Sequence, residues 1–264
     1  MKRGVLEIGS IVALIAIGSV MLFRVAAAPP PEVEIAGYAT SLQGRTVSQR
    51  HNARLAAEAL NGKVVAAGAT FSFNQTVKSW SQDQGYVKAP VSYDGELIKA
   101  FGGGVCQTST TLYNVALLAG LPILERHTHI FAPHYVPPGR DAAVAQKNID
   151  LQFRNPYPWP IRIKATAQED RLDIRLYGAS QPAESVQIIS QVLDTIAPSR
   201  LTRVAYRPEG TAGRSYLRNP GATGCRVVTY RLFCRNGQEL RRERLADSTY
   251  QPMDRIVQVT EEGP

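Results

Sequence analysis

Cysteine and histidine are scarce in this chain, and two common zinc-site motifs are missing. Three cysteines in 264 residues are too few for a disulfide-rich scaffold. Only four histidines are present, so few side chains can serve as a catalytic base. The sequence contains neither a CxxC nor an HExxH motif, and it shows no internal repeat or low-complexity tract. An apolar fraction of 44% with 20% charged residues is ordinary for a globular protein, so disorder is not expected.

Acidic residues are fewer than basic ones. The chain has 22 Asp and Glu against 30 Lys and Arg, which gives a formal net charge of +8. Such a charge favours anionic partners. Nucleic acid, anionic lipid and acidic cell-wall polymers all satisfy this condition, so charge alone does not select one of them.

A single long hydrophobic run lies near the N-terminus. Lys2 and Arg3 precede the run Val5–Phe23, which is long enough to cross a bilayer as a helix. The positive residues before it predict a single-pass membrane anchor with the bulk of the chain outside the cytoplasm. The competing hypothesis is a secreted protein whose signal peptide is cleaved near Ala26–Ala28. Both hypotheses export the chain, so the cytoplasmic membrane is an expected partner of the anchored form and nucleic acid is not.

The remaining sequence predicts an α+β fold with three parts. Residues 1–31 are the signal anchor and a proline-rich spacer, residues 32–179 a mixed domain, and residues 180–264 a small all-β module. Helices are predicted at Val47–Leu60 and Val105–Ala119, where small and apolar residues recur at helical spacing. The second helix is central to the mixed domain, follows a glycine-rich loop and is accompanied by antiparallel strands. Asn236–Gly237 predicts a hairpin in the β module.

The segment Phe101–Thr111 (FGGGVCQTSTT) carries the strongest chemical signal. Three consecutive glycines predict a sharp turn or a close backbone approach. Cys106 follows at the start of the predicted helix, where free N–H groups and the helix dipole favour a thiolate. The same N–H groups are suited to an oxyanion. Cys106 is therefore a candidate nucleophile, and the alternative is a small buried cysteine packed beneath the glycine turn.

A base for Cys106 must come from the few histidines. Neutral imidazole is the usual activator of a cysteine nucleophile, with a third group that orients the ring. His127 and His129 are the candidate bases, Asp141 is a candidate orienting group, and Arg140 is a candidate ligand for a substrate carboxylate. A zinc set of Cys106 with the histidines is the alternative, and it includes His134. That alternative is weak, so no metal or other cofactor is expected.

Cys225 and Cys234 lie outside this region. If one continuous strand contains both, their Cα atoms are about 30 Å apart, whereas a disulfide needs them within about 7 Å. A bend between them would be required, and the sequence leaves the pairing open.

The segment Gly102–Gln107 (GGGVCQ) resembles the VanW family. The resemblance continues through Thr110–Asn114 (TTLYN), Glu125–His129 (ERHTH) and Tyr135–Ala142 (YVPPGRDA), and the tail resembles a G5-type β module. Some members of the family are regarded as peptidoglycan L,D-transpeptidases with the motif cysteine as nucleophile. The resemblance implies that Cys106 is the acyl acceptor and His129 the base, with His127 a weaker candidate. It also implies a substrate and oxyanion pocket, for which the candidate residues are Gly103, Gly104, Gln107, Tyr135 and Arg140.

Three functions follow as hypotheses. The first is a cell-envelope cysteine acyltransferase that acts on peptidoglycan stem peptides through a thioester on Cys106. The second is a non-catalytic peptidoglycan-binding or scaffolding protein. The third is a metal-dependent amidase. Peptidoglycan is the expected partner in each case.

Overall fold

The computed structural model describes residues 32–93, 96–146, 148–207 and 215–262. The first part of the chain alternates short strands with helices. In chain order its elements are β1 (Val33–Ser41), α1 (Val47–Leu60), β2 (Val64–Val65), β3 (Thr70–Ser72), α2 (Phe73–Val77), a 3-10 turn (Gln82–Gln84), β4 (Lys88–Tyr93), β5 (Glu96–Phe101), α3 (Val105–Leu118), β6 (Ile123–Glu125), β7 (Gln152–Arg154), β8 (Ile161–Ala167) and β9 (Arg171–Gly178).

Strands make up the rest of the described chain. They are β10 (Ser185–Ile196), β11 (Arg200–Arg207), β12 (Ser215–Asn219), β13 (Gly224–Arg235), β14 (Gln238–Tyr250) and β15 (Arg255–Glu262). Strands β10, β13 and β14 form one antiparallel sheet, and β11, β15 and β12 form another in which β11 and β15 are parallel. The hairpin between β13 and β14 turns at Asn236 and Gly237, whose φ angles are 52° and 80°. This confirms the predicted hairpin, since a tight turn of this kind needs positive φ at both positions.

The first helix, α1, begins where a capping box predicts a helix start. The Thr46 hydroxyl accepts a hydrogen bond from Gln49 N, and the Gln49 side chain accepts one from Thr46 N. This pairing satisfies two N–H groups that would otherwise lack partners at the helix start. The buried face consists of Ala53, Ala56, Ala57 and Leu60. The helix therefore has the bounds and the packed face that its sequence predicts.

The second long helix, α3, lies in the centre of the first part. It packs against α1, β1, β9 and β10, and Leu112, Val115 and Ala116 have no exposed surface. The side chains of β9 alternate inward and outward, and Leu172, Ile174 and Leu176 point into the same core. The four-stranded sheet runs in the order β1-β9-β8-β2. This packing fixes the position of the first turn of α3, where Cys106 lies.

The polar side chains of α3 tie it to the segment after Arg140. Ser109 Oγ donates to Ala142 O at 2.7 Å, and Ala142 N donates to Thr110 Oγ1 at 3.0 Å. All three residues are fully buried. Because a buried polar group without a partner is costly, these bonds hold the 140–144 segment beside the helix.

The C-terminal strands pack against the first part. Arg231 on β13 is buried, and its guanidinium donates to Leu121 O at 2.7 Å. Thr229 Oγ1 donates to Gly139 O at 3.2 Å. Residues 31–264 accordingly form one compact unit. The division into domains at residues 179 and 180 stays a prediction.

The predicted α+β class is wrong, because the fold is mostly β. The described residues contain fifteen strands and three α-helices, of which two have 14 residues and one has five. Within the described residues two long helices form, and both pack against strands. None of the helices in the described ranges has the length and apolarity to cross a bilayer. The predicted anchor at residues 1–31 lies outside the described residues.

Candidate active site

Cys106 lies in the first turn of α3, on a glycine turn that no other residue type would fit. Gly104 is the N-cap and has φ of 109°, a conformation that favours glycine. A Cβ on Gly104 would collide with Gln49 O, and one on Gly103 would lie 2.7 Å from Pro90 O. The close approach predicted from the three glycines is therefore present. It brings the start of α3 against α1 and β4.

The side chains of His129 and Asp141 are directly bonded. The His129 Nδ1–H donates to Asp141 Oδ2 at 2.6 Å, and the His129 backbone N–H donates to the same oxygen at 2.8 Å. Two bonds from one residue to one carboxylate oxygen fix the orientation of the imidazole ring. Because Asp141 occupies Nδ1, Nε2 is the ring nitrogen left to interact with another group.

Asp141 is buried and held by side chains from distant parts of the chain. Its Oδ1 accepts a hydrogen bond from Arg126 Nη2 at 2.8 Å and another from the Tyr250 hydroxyl. Burial by itself raises the pKa of Asp141, but the bonds from His129 and the Arg126 charge outweigh it and lower the pKa to about 2. Asp141 is thus a carboxylate at neutral pH.

Cys106 and His129 interact with each other. Burial raises the pKa of the Cys106 thiol, yet the hydrogen bond and the charge of His129 outweigh burial and lower the pKa below its usual value. Burial lowers the pKa of His129. The interactions of the ring with Asp141 and Cys106 outweigh burial and raise this pKa to about 10. Both shifts favour the thiolate–imidazolium form of the pair over the neutral form. The protonated thiol, by contrast, donates to Val144 O at 3.4 Å.

Two cavities meet at Cys106. The larger has a volume of about 750 Å³, and we call it the Cys106 cleft. Its walls include Gln107, His129 and Tyr135 from the first part of the chain and Asn219, Pro220, Met253 and Ile256 from the C-terminal strands. The smaller, of about 440 Å³, is lined by Trp80, Phe101, Val144 and neighbouring residues, and we call it the rear cavity. Cys106 lines both cavities and is partly exposed, so a ligand in either cavity would lie beside this residue.

Four of the other predicted pocket residues do lie at the cleft. Gly103, Gly104, Gln107 and Tyr135 line the Cys106 cleft. Gln107 is also a structural link, since its Nε2 donates to Thr40 Oγ1 at 3.0 Å and to Ser41 O at 2.8 Å. Its amide nitrogen is therefore already engaged by strand β1.

Arg140 and His127 are not brought to the sulfur. Arg140 lines neither cavity. Its Nε donates to Asn114 Oδ1 at 2.7 Å, and its guanidinium lies over the Tyr38 ring. The His127 ring bonds to Glu125 Oε1 at 2.9 Å through Nε2. His129 is therefore the histidine that the fold places beside Cys106.

The alternative zinc set is not assembled either. His134 is exposed, and His127 bonds to Glu125 instead of turning toward Cys106. Within the described ranges no three His, Cys, Asp or Glu side chains converge in a way suited to a metal ion.

The first turn of α3 offers one backbone donor for an oxyanion. Val105 N donates to Gly102 O at 2.9 Å, and Gln107 N donates to Gly104 O at 3.2 Å. The N–H groups of a first helical turn have no acceptor within the helix. The N–H of Cys106 is thus the one among these three that is left for a ligand.

The sequence interpretation missed three residues around the site. Arg126 and Tyr250 hold Asp141, and Arg45 lines the Cys106 cleft. Arg126 stands inside the ERHTH motif, which is a signal that could have identified it. Tyr250 and Arg45 carry no comparable local signal, because their contacts join parts of the chain that are far apart in sequence.

Cys225 and Cys234 are both free and buried. They lie near opposite ends of β13 and face different partners on β14, Tyr250 and Glu239. An extended strand keeps them too far apart to form a disulfide. The open question of their pairing is therefore answered in the negative.

The described chain is a β-rich protein in which Cys106 and His129 line one cleft and the buried Asp141 bonds to His129. Residues 48–177 match the family model described as VanW like protein, and residues 201–260 match the G5 domain. The chain therefore carries a VanW-like domain with a G5 domain behind it, which confirms the resemblance.

Two curated relatives agree with the family match. One is the "Uncharacterized protein YoaR" of Bacillus subtilis (strain 168), 39% identical over 170 residues, which are 64% of this chain and 54% of that protein. The other is the "Vancomycin B-type resistance protein VanW" of Enterococcus faecalis (strain ATCC 700802 / V583), 29% identical over 153 residues, 56% of each chain. The chain thus spans about half the length of these relatives.

The solved structures that resemble part of this chain include a G5 domain. A structure titled "IgA1 Protease G5 domain structure" is 22% identical, covers 32% of this chain and 99% of its own, and has a TM-score of 0.20. A score this low supports no argument about function.

Proposed function

We propose that this protein is a cysteine-dependent acyltransferase of the bacterial cell envelope that acts on peptidoglycan stem peptides, as L,D-transpeptidases do. The observation that carries the proposal is that Cys106 and His129 line one cleft and shift each other's pKa, while His129 Nδ1 bonds to Asp141 Oδ2 at 2.6 Å. A nucleophile, a base that contacts it and a group that orients the base are the parts needed for acyl transfer.

The first half of the reaction is acylation. The Cys106 thiolate attacks a peptide carbonyl carbon, and the carbonyl oxygen gains the negative charge. The N–H of Cys106 and the positive end of the helix dipole stabilise that charge. When the C–N bond breaks, the leaving amine takes a proton from the His129 imidazolium, and a thioester remains on Cys106.

The second half returns the enzyme to its starting state. An amine from a neighbouring stem loses a proton to neutral His129 and attacks the thioester carbonyl. Breakage of the C–S bond regenerates the thiolate beside an imidazolium. Attack by water in place of the amine releases a shortened stem, which is carboxypeptidase activity.

The cell-wall setting is supported by the domain matches and by charge. The VanW-like and G5 matches support association with the cell wall. A net charge of +8 favours anionic wall material. We further propose that residues 1–31 tether the protein to the cytoplasmic membrane with its bulk outside the cytoplasm, or direct its secretion if they are cleaved.

The direct test is mass spectrometry of the protein after incubation with stem peptides. We expect an adduct on Cys106 whose mass equals that of the acyl portion of the donor. A Cys106→Ser variant retains a hydroxyl at this position and a Cys106→Ala variant retains none, and we expect neither to crosslink purified muropeptides. Crosslinking that survives both substitutions would refute the proposal.

A non-catalytic wall-binding protein is the second candidate. The observation that favours it is the size of the Cys106 cleft, which extends onto residues of the G5 segment. This candidate predicts that pull-down by purified cell wall is unchanged by Cys106→Ala and that no adduct forms on the wild-type protein. A metal-dependent amidase would instead be inhibited by a chelator.

A further inference from the structure

The two cavities at Cys106 differ in charge. The side chains that line the Cys106 cleft include Arg45, His129 and His134 and no carboxylate, among the residues that the structure describes. The described lining of the rear cavity has no charged side chain and includes the rings of Trp80 and Phe101. An anionic group of a ligand is therefore favoured in the cleft, and an uncharged group in the rear cavity.

The position of His129 assigns the two halves of a substrate to these cavities. His129 lines the Cys106 cleft and not the rear cavity. Proton transfer requires the amine that leaves to lie within hydrogen-bond reach of the base. The leaving portion of the donor therefore occupies the cleft, and the acyl portion that stays on sulfur faces the rear cavity.

Arg45 is the fixed cation of the cleft. Its backbone N–H donates to Leu42 O at 3.0 Å, and its carbonyl accepts from Arg50 Nη1 at 2.6 Å, so the main chain is held just before α1. The guanidinium lies over the Tyr135 ring with its carbon 5.0 Å from the ring centroid. Across the described parts of the chain, its N–H groups have neither a hydrogen-bond acceptor nor a carboxylate partner.

An arginine in this condition is suited to a planar anion. The contact with the Tyr135 ring restricts where the guanidinium lies while its donors stay available, and a carboxylate can accept two of these donors side by side. The matching substrate carries a carboxylate on the portion that leaves. When the leaving portion has no acidic side chain, a free carboxylate lies directly beside the broken bond only if that portion is the C-terminal residue of the donor peptide.

We propose that Arg45 binds the free α-carboxylate of the donor's C-terminal residue, and that the enzyme therefore acts on the last peptide bond of a stem. This inference rests on the proposed function, and it assigns to Arg45 the role that the sequence suggested for Arg140. Internal peptide bonds whose leaving portions carry no adjacent carboxylate are poor substrates.

The test compares two synthetic donors, a stem tetrapeptide with a free C-terminal carboxylate and the same peptide as a C-terminal amide. We expect the wild-type protein to prefer the carboxylate by about 10- to 100-fold in kcat/KM, the range for hydrogen bonds to a charged group. Arg45→Gln abolishes the preference by lowering only the value for the carboxylate. Arg45→Lys keeps the charge without the paired geometry and restores part of the preference.

A matched control and a binding measurement complete the test. Arg171→Gln removes an exposed arginine that lines neither cavity, and it should retain the wild-type preference. Calorimetry on Cys106→Ala with and without Arg45→Gln measures the same preference without turnover. The assignment is overturned if Arg45→Gln lowers kcat/KM equally for both peptides or leaves the preference for the carboxylate unchanged. A binding preference without any adduct on the wild-type protein would instead refute the proposed chemistry and leave Arg45 as a carboxylate site.

Discussion

Cys106 in the VanW-like domain and Cys225 in the G5 segment show two outcomes of placing a cysteine inside a protein. Cys225 lies on β13 in an apolar cluster with Val227 and Tyr250, and burial raises its pKa. Burial acts on Cys106 in the same direction, but His129 reverses the net shift. Burial alone thus makes a thiol inert, and an adjacent imidazolium makes it reactive. The same C-terminal strands also contribute to the candidate site, because Tyr250 holds Asp141.

Removal of the Asp141 charge should have the largest effect on the difference between Cys106 and Cys225. In Asp141→Asn the His129 ring loses its anionic partner, so the imidazolium and with it the thiolate lose stability. We expect the rate of Cys106 acylation to fall about a thousandfold or more, by analogy with triads whose carboxylate is replaced by an amide. Single-turnover kinetics measured by mass spectrometry test this.

The matched control for Asp141→Asn is Asp150→Asn. Asp150 is also a largely buried carboxylate, and it bonds Ser72 Oγ at 2.5 Å and Asn74 N at 2.9 Å, away from the cleft. The Asp150→Asn substitution should reduce the stability of the protein and leave the acylation rate per folded molecule unchanged. Equal losses of activity in both variants would mean that Asp141 is only structural.

Thiol labelling compares the two cysteines within one molecule. At about pH 7 we expect iodoacetamide to modify Cys106 on the order of 100-fold faster than Cys225, since thiolate is the reacting form. The labelling rate of Cys106 should fall only when the pH drops through its lowered pKa. His129→Gln should move the pH midpoint of Cys106 labelling upward and reduce the difference in labelling rate between Cys106 and Cys225. Peptide mapping identifies the labelled residue, and equal rates would contradict the ion pair.

Acid unfolding isolates the contribution of Asp141 to stability. Its folded-state pKa of about 2 lies below the ordinary value of 3.8, so its stabilising effect is present above about pH 4 and is lost as the pH falls toward about 2. The shift corresponds to about 2 kcal/mol in the free energy of unfolding. Denaturant titrations between these pH values should show a steeper loss of stability for the wild type than for Asp141→Asn. Parallel profiles would contradict the assignment.

Tyr250→Phe tests whether the G5 segment sharpens the site. The hydroxyl donates to Asp141 Oδ1 and accepts from Gly139 N at 2.8 Å, and its loss leaves a buried N–H without a partner. We expect the acylation rate to fall about tenfold and the stability by about 1–3 kcal/mol. Tyr230→Phe, on the neighbouring strand, is the control and should affect neither. A Tyr250→Phe protein with wild-type kinetics would show that the G5 segment is only a tether.

The sequence predicted those features that depend on neighbouring residues. The spacing of small and apolar residues defines α1, and three glycines before an apolar helix define the turn beneath Cys106. The hairpin at Asn236–Gly237 follows from the φ angles that only a few residue types adopt. Each of these signals acts over a few residues, so no knowledge of the fold was needed.

The tertiary structure alone decided which of several chemically equivalent side chains belong to the site. His127 and His129 stand two residues apart, yet only His129 reaches both Asp141 and Cys106. The Arg140 guanidinium bonds to Asn114 and lines neither cavity, whereas Arg45 lines the Cys106 cleft. Tyr250 reaches Asp141 across 109 residues of chain. The reason is physical: the pKa of a side chain and its access to ligand depend on which groups packing brings within hydrogen-bond distance, and packing joins residues without regard to their separation in sequence.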